Sequence, residues 1–174
     1  MLRDEIIKYL NILNEKLQRR KVKGEICLYG GAVMCLVFDA RPSTKDVDAI
    51  FYPAEIIREI AKEISNEYEL VDDWLNDGVK GFLVDHPKKV FLNLSHLVVM
   101  VADSEYMLAM KSLSARIDGT DSKDIEFLIK KLNIKATEEV FKIIAKYYPR
   151  RIIRPATQFF IEEIFDEIQN DSRS

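Results

Sequence analysis

Every strand-type run in this 174-residue chain lies between Glu25 and Ala102, and the sequence beyond Asp103 carries helix-type spacing throughout. A chain divided in this way must build a small sheet from its first part and bury its remaining helices afterwards. The expected fold class is therefore α+β: a small mixed β-sheet flanked by helices, followed by a C-terminal helical bundle. Residues 1–102 form the core with its N-terminal helix, 103–169 a helical region packed on that core and contributing to its site, and 170–174 a flexible tail.

The local pattern supplies the elements. Leu2, Ile6, Leu10, Leu13 and Leu17 recur at three- and four-residue spacing and predict an amphipathic helix over 2–19. A short apolar strand, Glu25 to Tyr29, runs into Gly30 and Gly31, and AVMCLVFDA continues as a buried helix. Arg41, Pro42, Ser43 and Thr44 connect this helix to a strand, DVDAIF. Pro53 opens a helix to about Asn66, carrying Ile56, Ile57, Ile60 and Ile64. Three β-type runs follow, GFLVD, VFLNL and LVVMVA, and then helices over roughly 104–116, 122–132, 137–148 and 156–169, with breaks at Pro149 and Pro155.

Composition narrows the function classes. A net charge of -3 argues against a surface coated for nonspecific DNA binding, so any nucleic-acid contact is local. Cys27 and Cys35 lie in apolar segments with no partners at ligand spacing and read as core residues in a reducing compartment. No apolar run approaches the ~20 residues needed to span a bilayer, and the N-terminus lacks a signal-type apolar stretch, which predicts a cytoplasmic protein with no membrane partner.

Asp46 and Asp48 stand out within an otherwise apolar strand. Residues two apart on a strand project to one face with Cα atoms about 6.5 to 7 Å apart, so both carboxylates can reach one cation. Two such charges side by side repel, and a hard, oxygen-seeking ion such as Mg²⁺ or Mn²⁺ relieves that repulsion. An exposed edge-strand face is the alternative reading. The Gly30–Gly31 turn offers backbone N–H groups to phosphate oxygens, although a glycine pair equally serves a tight turn. Arg41, Ser43 and Thr44 bring a cation and two hydroxyls close to the same strand. In the helical part, Lys111 and Asp124 fall on inward faces where charges are rare, either as an ion pair between neighbouring helices or as functional groups sharing a cleft, Lys111 contacting the triphosphate and Asp124 supporting the metal, the lysine or the attacking group.

Together, LYGGAVMCLVFDARPSTKDVDAIF and YMLAMKSLSARIDGTDSKDIEFLI resemble the polymerase-β-like nucleotidyltransferase superfamily. Within it they look most like the DUF6036 and AbiEii-type branch, which includes toxins of type IV toxin–antitoxin systems. The resemblance spans about residues 25–132. It implies an enzyme that moves a nucleoside monophosphate from an NTP to an acceptor hydroxyl with Mg²⁺ or Mn²⁺, the acceptor being tRNA or another RNA and a cognate antitoxin the protein partner. It also implies roles: Asp46 and Asp48 as metal ligands, Gly30 and Gly31 as the phosphate-side turn, and Lys111 and Asp124 as the downstream pair. Arg41 and Thr44 match the lead into the aspartates, and Arg116 is a secondary phosphate contact. Gly31 stands where the commoner superfamily pattern has serine, and no later strand offers a clear third carboxylate. The contrasting reading is a noncatalytic module of the same fold that binds nucleotide, RNA or a protein.

Other features read as structural. His86 and His96 have no partners at catalytic spacing, and Trp74 with Asn76, Asp77 and Gly78 reads as a loop anchor. Arg150, Arg151 and Arg154 form a basic cluster that is either a solvated connector or a contact for RNA phosphates.

Overall fold

The computed structural model describes residues 1–115 and 120–171, in two compact units. The first comprises Met1–Gly81 with Lys88–Ala102; the second comprises Phe82–Pro87 with Asp103 onward.

The first unit opens with α1 (Arg3–Arg19), β1 (Gly24–Leu28), α2 (Gly30–Leu36), β2 (Val47–Tyr52) and α3 (Ala54–Tyr68). A two-residue β3 (Leu75–Asn76) follows, then β4 (Lys88–Asn93) and β5 (Leu97–Ala102). The sheet order is β3-β2-β1-β5-β4, with β1 antiparallel to β2 and parallel to β5, β2 parallel to β3, and β4 antiparallel to β5. Both parallel and antiparallel pairs are present, so the sheet is mixed as expected.

One stripe of α1 (Ile6, Tyr9, Leu10, Leu13, Leu17) and one of α3 (Ile57, Ile60, Ala61, Ile64) are buried, which is why these segments form helices that pack on each other. Their solvent sides meet through Lys16 and Arg20 paired with Glu59, Glu63 and Glu67, exposed contacts worth only a few tenths of a kcal/mol to about 1 kcal/mol each. Trp74 anchors its loop in the core. It is fully buried, its Nε1 donates to the Ala61 carbonyl at 3.0 Å, and its ring packs 5.6 Å from that of Tyr9. That placement pulls Leu75 and Asn76 alongside Val47 and Asp48 as β3, a strand too short to show in the sequence pattern.

The second unit contains α4 (Ser104–Ser114), α5 (Asp121–Lys131), α6 (Thr137–Tyr147) and α7 (Pro155–Asp171). Residues Tyr106 to Ser112 of α4 are all buried, as a central helix packed by α5, α6 and α7 requires. Asp103 caps α4 by accepting from the Tyr106 backbone N–H at 2.8 Å. Asn170 and Asp171 belong to α7, so the helix extends into the segment assigned from sequence to the tail.

GFLVD is not a strand. Gly78–Phe82 is a 3₁₀ helix, and the groups that follow turn to tyrosines instead of a neighbouring strand. The Tyr148 hydroxyl donates to the Phe82 carbonyl at 2.7 Å, the Val84 N–H donates to the Tyr106 hydroxyl at 3.4 Å, and His86 stacks on Tyr106 at 3.8 Å. The apolar residues of this stretch serve the helical unit. Among the described residues, no helix is long and apolar enough to cross a membrane.

Candidate functional site

The antiparallel pairing of β1 with β2 places the end of one strand against the start of the other. Leu28 lies opposite Ala49, and the Tyr29 N–H donates to the Asp48 carbonyl at 2.9 Å. The chain then turns at Gly30, whose φ of +55° is a left-handed conformation costly for any residue with a side chain. On the other flank of β2, Asp48 pairs in register with Asn76. Asp48 therefore sits between the glycine turn and β3.

Burial alternates along this strand. Val47, Ala49 and Phe51 are buried, whereas Asp46 and Asp48 are partly exposed, which is the expected result of a period of two with one face on the core. Asp46 immediately precedes β2. Its carboxylate accepts from Asn76 Nδ2 at 3.4 Å, its carbonyl accepts from Thr44 Oγ1 at 3.1 Å, and Asn76 Oδ1 accepts from the Gly78 N–H at 3.0 Å. These bonds fix the backbone on both sides of the aspartates.

The glycines fit the functional side chains closely. A Cβ on Gly30 would lie 2.7 Å from Asp48 Oδ2; one on Gly31 would lie 1.6 Å from Arg41 Nη2 and 2.3 Å from Thr44 Oγ1. The Arg41 guanidinium fills the space a side chain at position 31 would need, which accounts physically for glycine there. Arg41 Nη2 donates to Thr44 Oγ1 at 3.4 Å, and Thr44 is buried, with its N–H donating to the Met1 carbonyl at 2.9 Å. Ser43 is exposed and bridges to Leu2, so it supports the loop from outside. Gly30, Gly31, Arg41, Thr44, Asp46 and Asp48 thus come together at one end of the sheet.

Asp46 and Asp48 provide the hard oxygen donors that Mg²⁺ or Mn²⁺ prefers. Among the described residues no group of three or more His, Cys, Asp or Glu side chains is arranged to hold a metal. Mg²⁺ commonly takes only one or two protein carboxylates, so a pair lies within what it accepts. The pair does not form a closed protein cage.

Lys111 and Asp124 lie in the helical unit, 5% and 3% exposed. Lys111 Nζ is 2.7 Å from Asp124 Oδ2 and 3.1 Å from Asp121 Oδ1, tying α4 to the first turn of α5. Asp121 was not singled out from the sequence. Its signal was its position three residues before Asp124, on the same helix face. The sequence-derived contact Arg116 lies outside the described residues.

Remaining titratable groups have structural settings. Burial pushes both cysteine thiols up, and neither Cys27 nor Cys35 is in a disulfide. Burial, then a hydrogen bond to Glu105, pushes Tyr147 up to about 12. The Lys146 ammonium, aided by Tyr147, holds the Glu105 carboxyl below the usual range despite partial burial.

No protein-family model matches this chain, and neither does any curated protein or solved structure.

Proposed function

We propose that this chain is a Mg²⁺-dependent nucleotidyltransferase that moves a nucleoside monophosphate from an NTP to an acceptor hydroxyl, with Mn²⁺ as an alternative ion. The observation that carries this reading is the close fit of the Gly30–Gly31 turn against Asp48, Arg41 and Thr44, with Asp46 at the start of the same strand. Together with the sequence resemblance, it favours a phosphate-handling centre over an incidental pair of edge-strand acids. A bound divalent ion would supply charge neutralisation on the triphosphate and a lowered barrier to deprotonating the acceptor hydroxyl.

The protein's own residues do the rest. Asp46 and Asp48 hold the cation from one face of β2. Arg41, positioned by Thr44 and by the absence of a side chain at Gly31, donates to phosphate oxygens and stabilises the negative charge that develops on them. The glycine turn lets the Asp48 carboxylate and the Arg41 guanidinium lie close against the backbone. Lys111 and Asp124 act in this reading through their ion pair, which fixes α4 against α5.

The toxin-like resemblance makes tRNA or another RNA the proposed acceptor and a cognate antitoxin the proposed protein partner. A second reading has its own support: with no third metal-binding side chain grouped among the described residues, the same centre suits a noncatalytic module that binds nucleotide, RNA or a protein. Pyrophosphate release from NTP separates the two, because only the enzyme produces it.

A further inference from the structure

The helical unit contains a cavity of about 890 Å³ that the proposed active centre does not use. Its wall includes Arg150, Arg151 and Arg154, the start of α7 at Ala156 and Thr157, and Ser112 of α4. Two features point to an anion.

The first is charge without compensation. From Tyr148 to Ile161 the sequence YPRRIIRPATQFFI has three arginines and no acidic residue, in a chain whose net charge is -3. Among the described residues, the Arg150 and Arg154 side chains make no ion pair or hydrogen bond, and both are exposed. Arg151 is oriented by aromatic rings, its Cζ 5.6 Å from the Phe82 centroid and 5.9 Å from that of Tyr148.

The second is the position of this charge. The Arg154 carbonyl accepts from the Thr157 and Gln158 N–H groups, so Arg154 caps the N-terminus of the 17-residue α7, whose first turn has no acidic side chain. A helix N-terminus carries partial positive charge, and placing an arginine there opposes helix stability unless an anion lies between them.

We infer that this cavity binds the phosphates of a single-stranded RNA, with Arg150 and Arg154 as the main charge contacts. The adjoining apolar surface suits a base or ribose better than a bare ion: Phe82 lines the cavity, and so does Ile152, which is 89% exposed. A volume of this size exceeds what one inorganic phosphate requires. The choice of RNA as carrier rests on the acceptor reading above; the anion site itself does not.

The test is fluorescence anisotropy of a labelled, mixed-sequence oligoribonucleotide with the full chain, in EDTA and without NTP, so that binding is read independently of metal and transfer. Wild type should bind with an affinity that falls as salt rises. Arg150→Gln/Arg154→Gln should bind about tenfold or more weakly and flatten the salt slope by about 1.4, the value for two lost single-strand phosphate contacts. RNA affinity unaltered by the arginine pair, complete displacement by equimolar inorganic phosphate or mononucleotide, or no RNA binding would overturn the inference. None of those outcomes bears on nucleotidyl transfer at Asp46 and Asp48, which is read separately by pyrophosphate release.

Discussion

Gly30 lies so close to Asp48 that a Cβ on the glycine would stand 2.7 Å from the carboxylate oxygen. Turn and carboxylate therefore form one unit, and neither can change without the other. Gly30→Ala should lose about 1 to 2 kcal/mol from the left-handed backbone alone and also displace Asp48. Chemical denaturation should show the stability loss, and metal-dependent NTP binding should fall more steeply than stability predicts.

Gly31→Ser tests the fit beside the turn. The new Cβ must displace Arg41 and shift the buried Thr44 hydroxyl from the Asp46 carbonyl. The melting temperature should fall, and NTP affinity of the folded variant should drop by about tenfold, the order expected when one charge-assisted hydrogen bond is lost. Isothermal titration with a non-hydrolysable NTP measures this. An unchanged affinity would remove Arg41 from the phosphate site.

The Lys111–Asp124 pair predicts a non-additive pattern. Lys111→Met leaves the Asp124 carboxylate buried with its ammonium partner gone and should cost about 3 to 5 kcal/mol. Lys111→Met/Asp124→Leu should recover much of that stability, since apolar replacement of a buried pair is often neutral. Urea unfolding of both variants gives the coupling energy.

Alkaline pH should loosen the helical unit. Tyr147 has its hydroxyl proton held up to about 12, first by burial and then by Glu105, and Tyr148 is raised further by burial and by Tyr106. A folded pKa above the unfolded value of about 10 means that the neutral phenol stabilises the fold. That contribution is complete below pH ~10 and is lost as pH rises toward 12 and beyond. Unfolding midpoints should therefore fall across this range in wild type and more gently in Tyr147→Phe.

Cys27 and Cys35 supply a simple check on the core. Both are buried and burial raises both thiols, so a thiol-reactive dye should modify neither in the native protein and both after unfolding.

Where periodicity was long, the sequence was a good guide: the spacing in α1 and α3 led directly to observed helices, and the apolar run from Val47 to Phe51 to β2. It failed where tertiary contacts set the local structure. GFLVD has strand composition, yet the Tyr106 and Tyr148 hydroxyls, distant in sequence, take up its polar groups. β3 exists because Trp74 is buried beneath α3, and two residues carry no period. The aspartates and glycines were legible from residue type and spacing. That Arg41 fills the space beside Gly31 was not, because it depends on how the 41–46 loop folds back.

The central claim is most directly tested by pyrophosphate release and label transfer from each of the four α-labelled NTPs, with Mg²⁺ and a total tRNA pool. Wild type is compared with Asp46→Asn and Asp48→Asn, and circular dichroism verifies that all three are folded. The account predicts transfer from at least one NTP in wild type and none in either variant. Transfer that persists in both folded variants, or wild type that releases no pyrophosphate with any NTP, would contradict it.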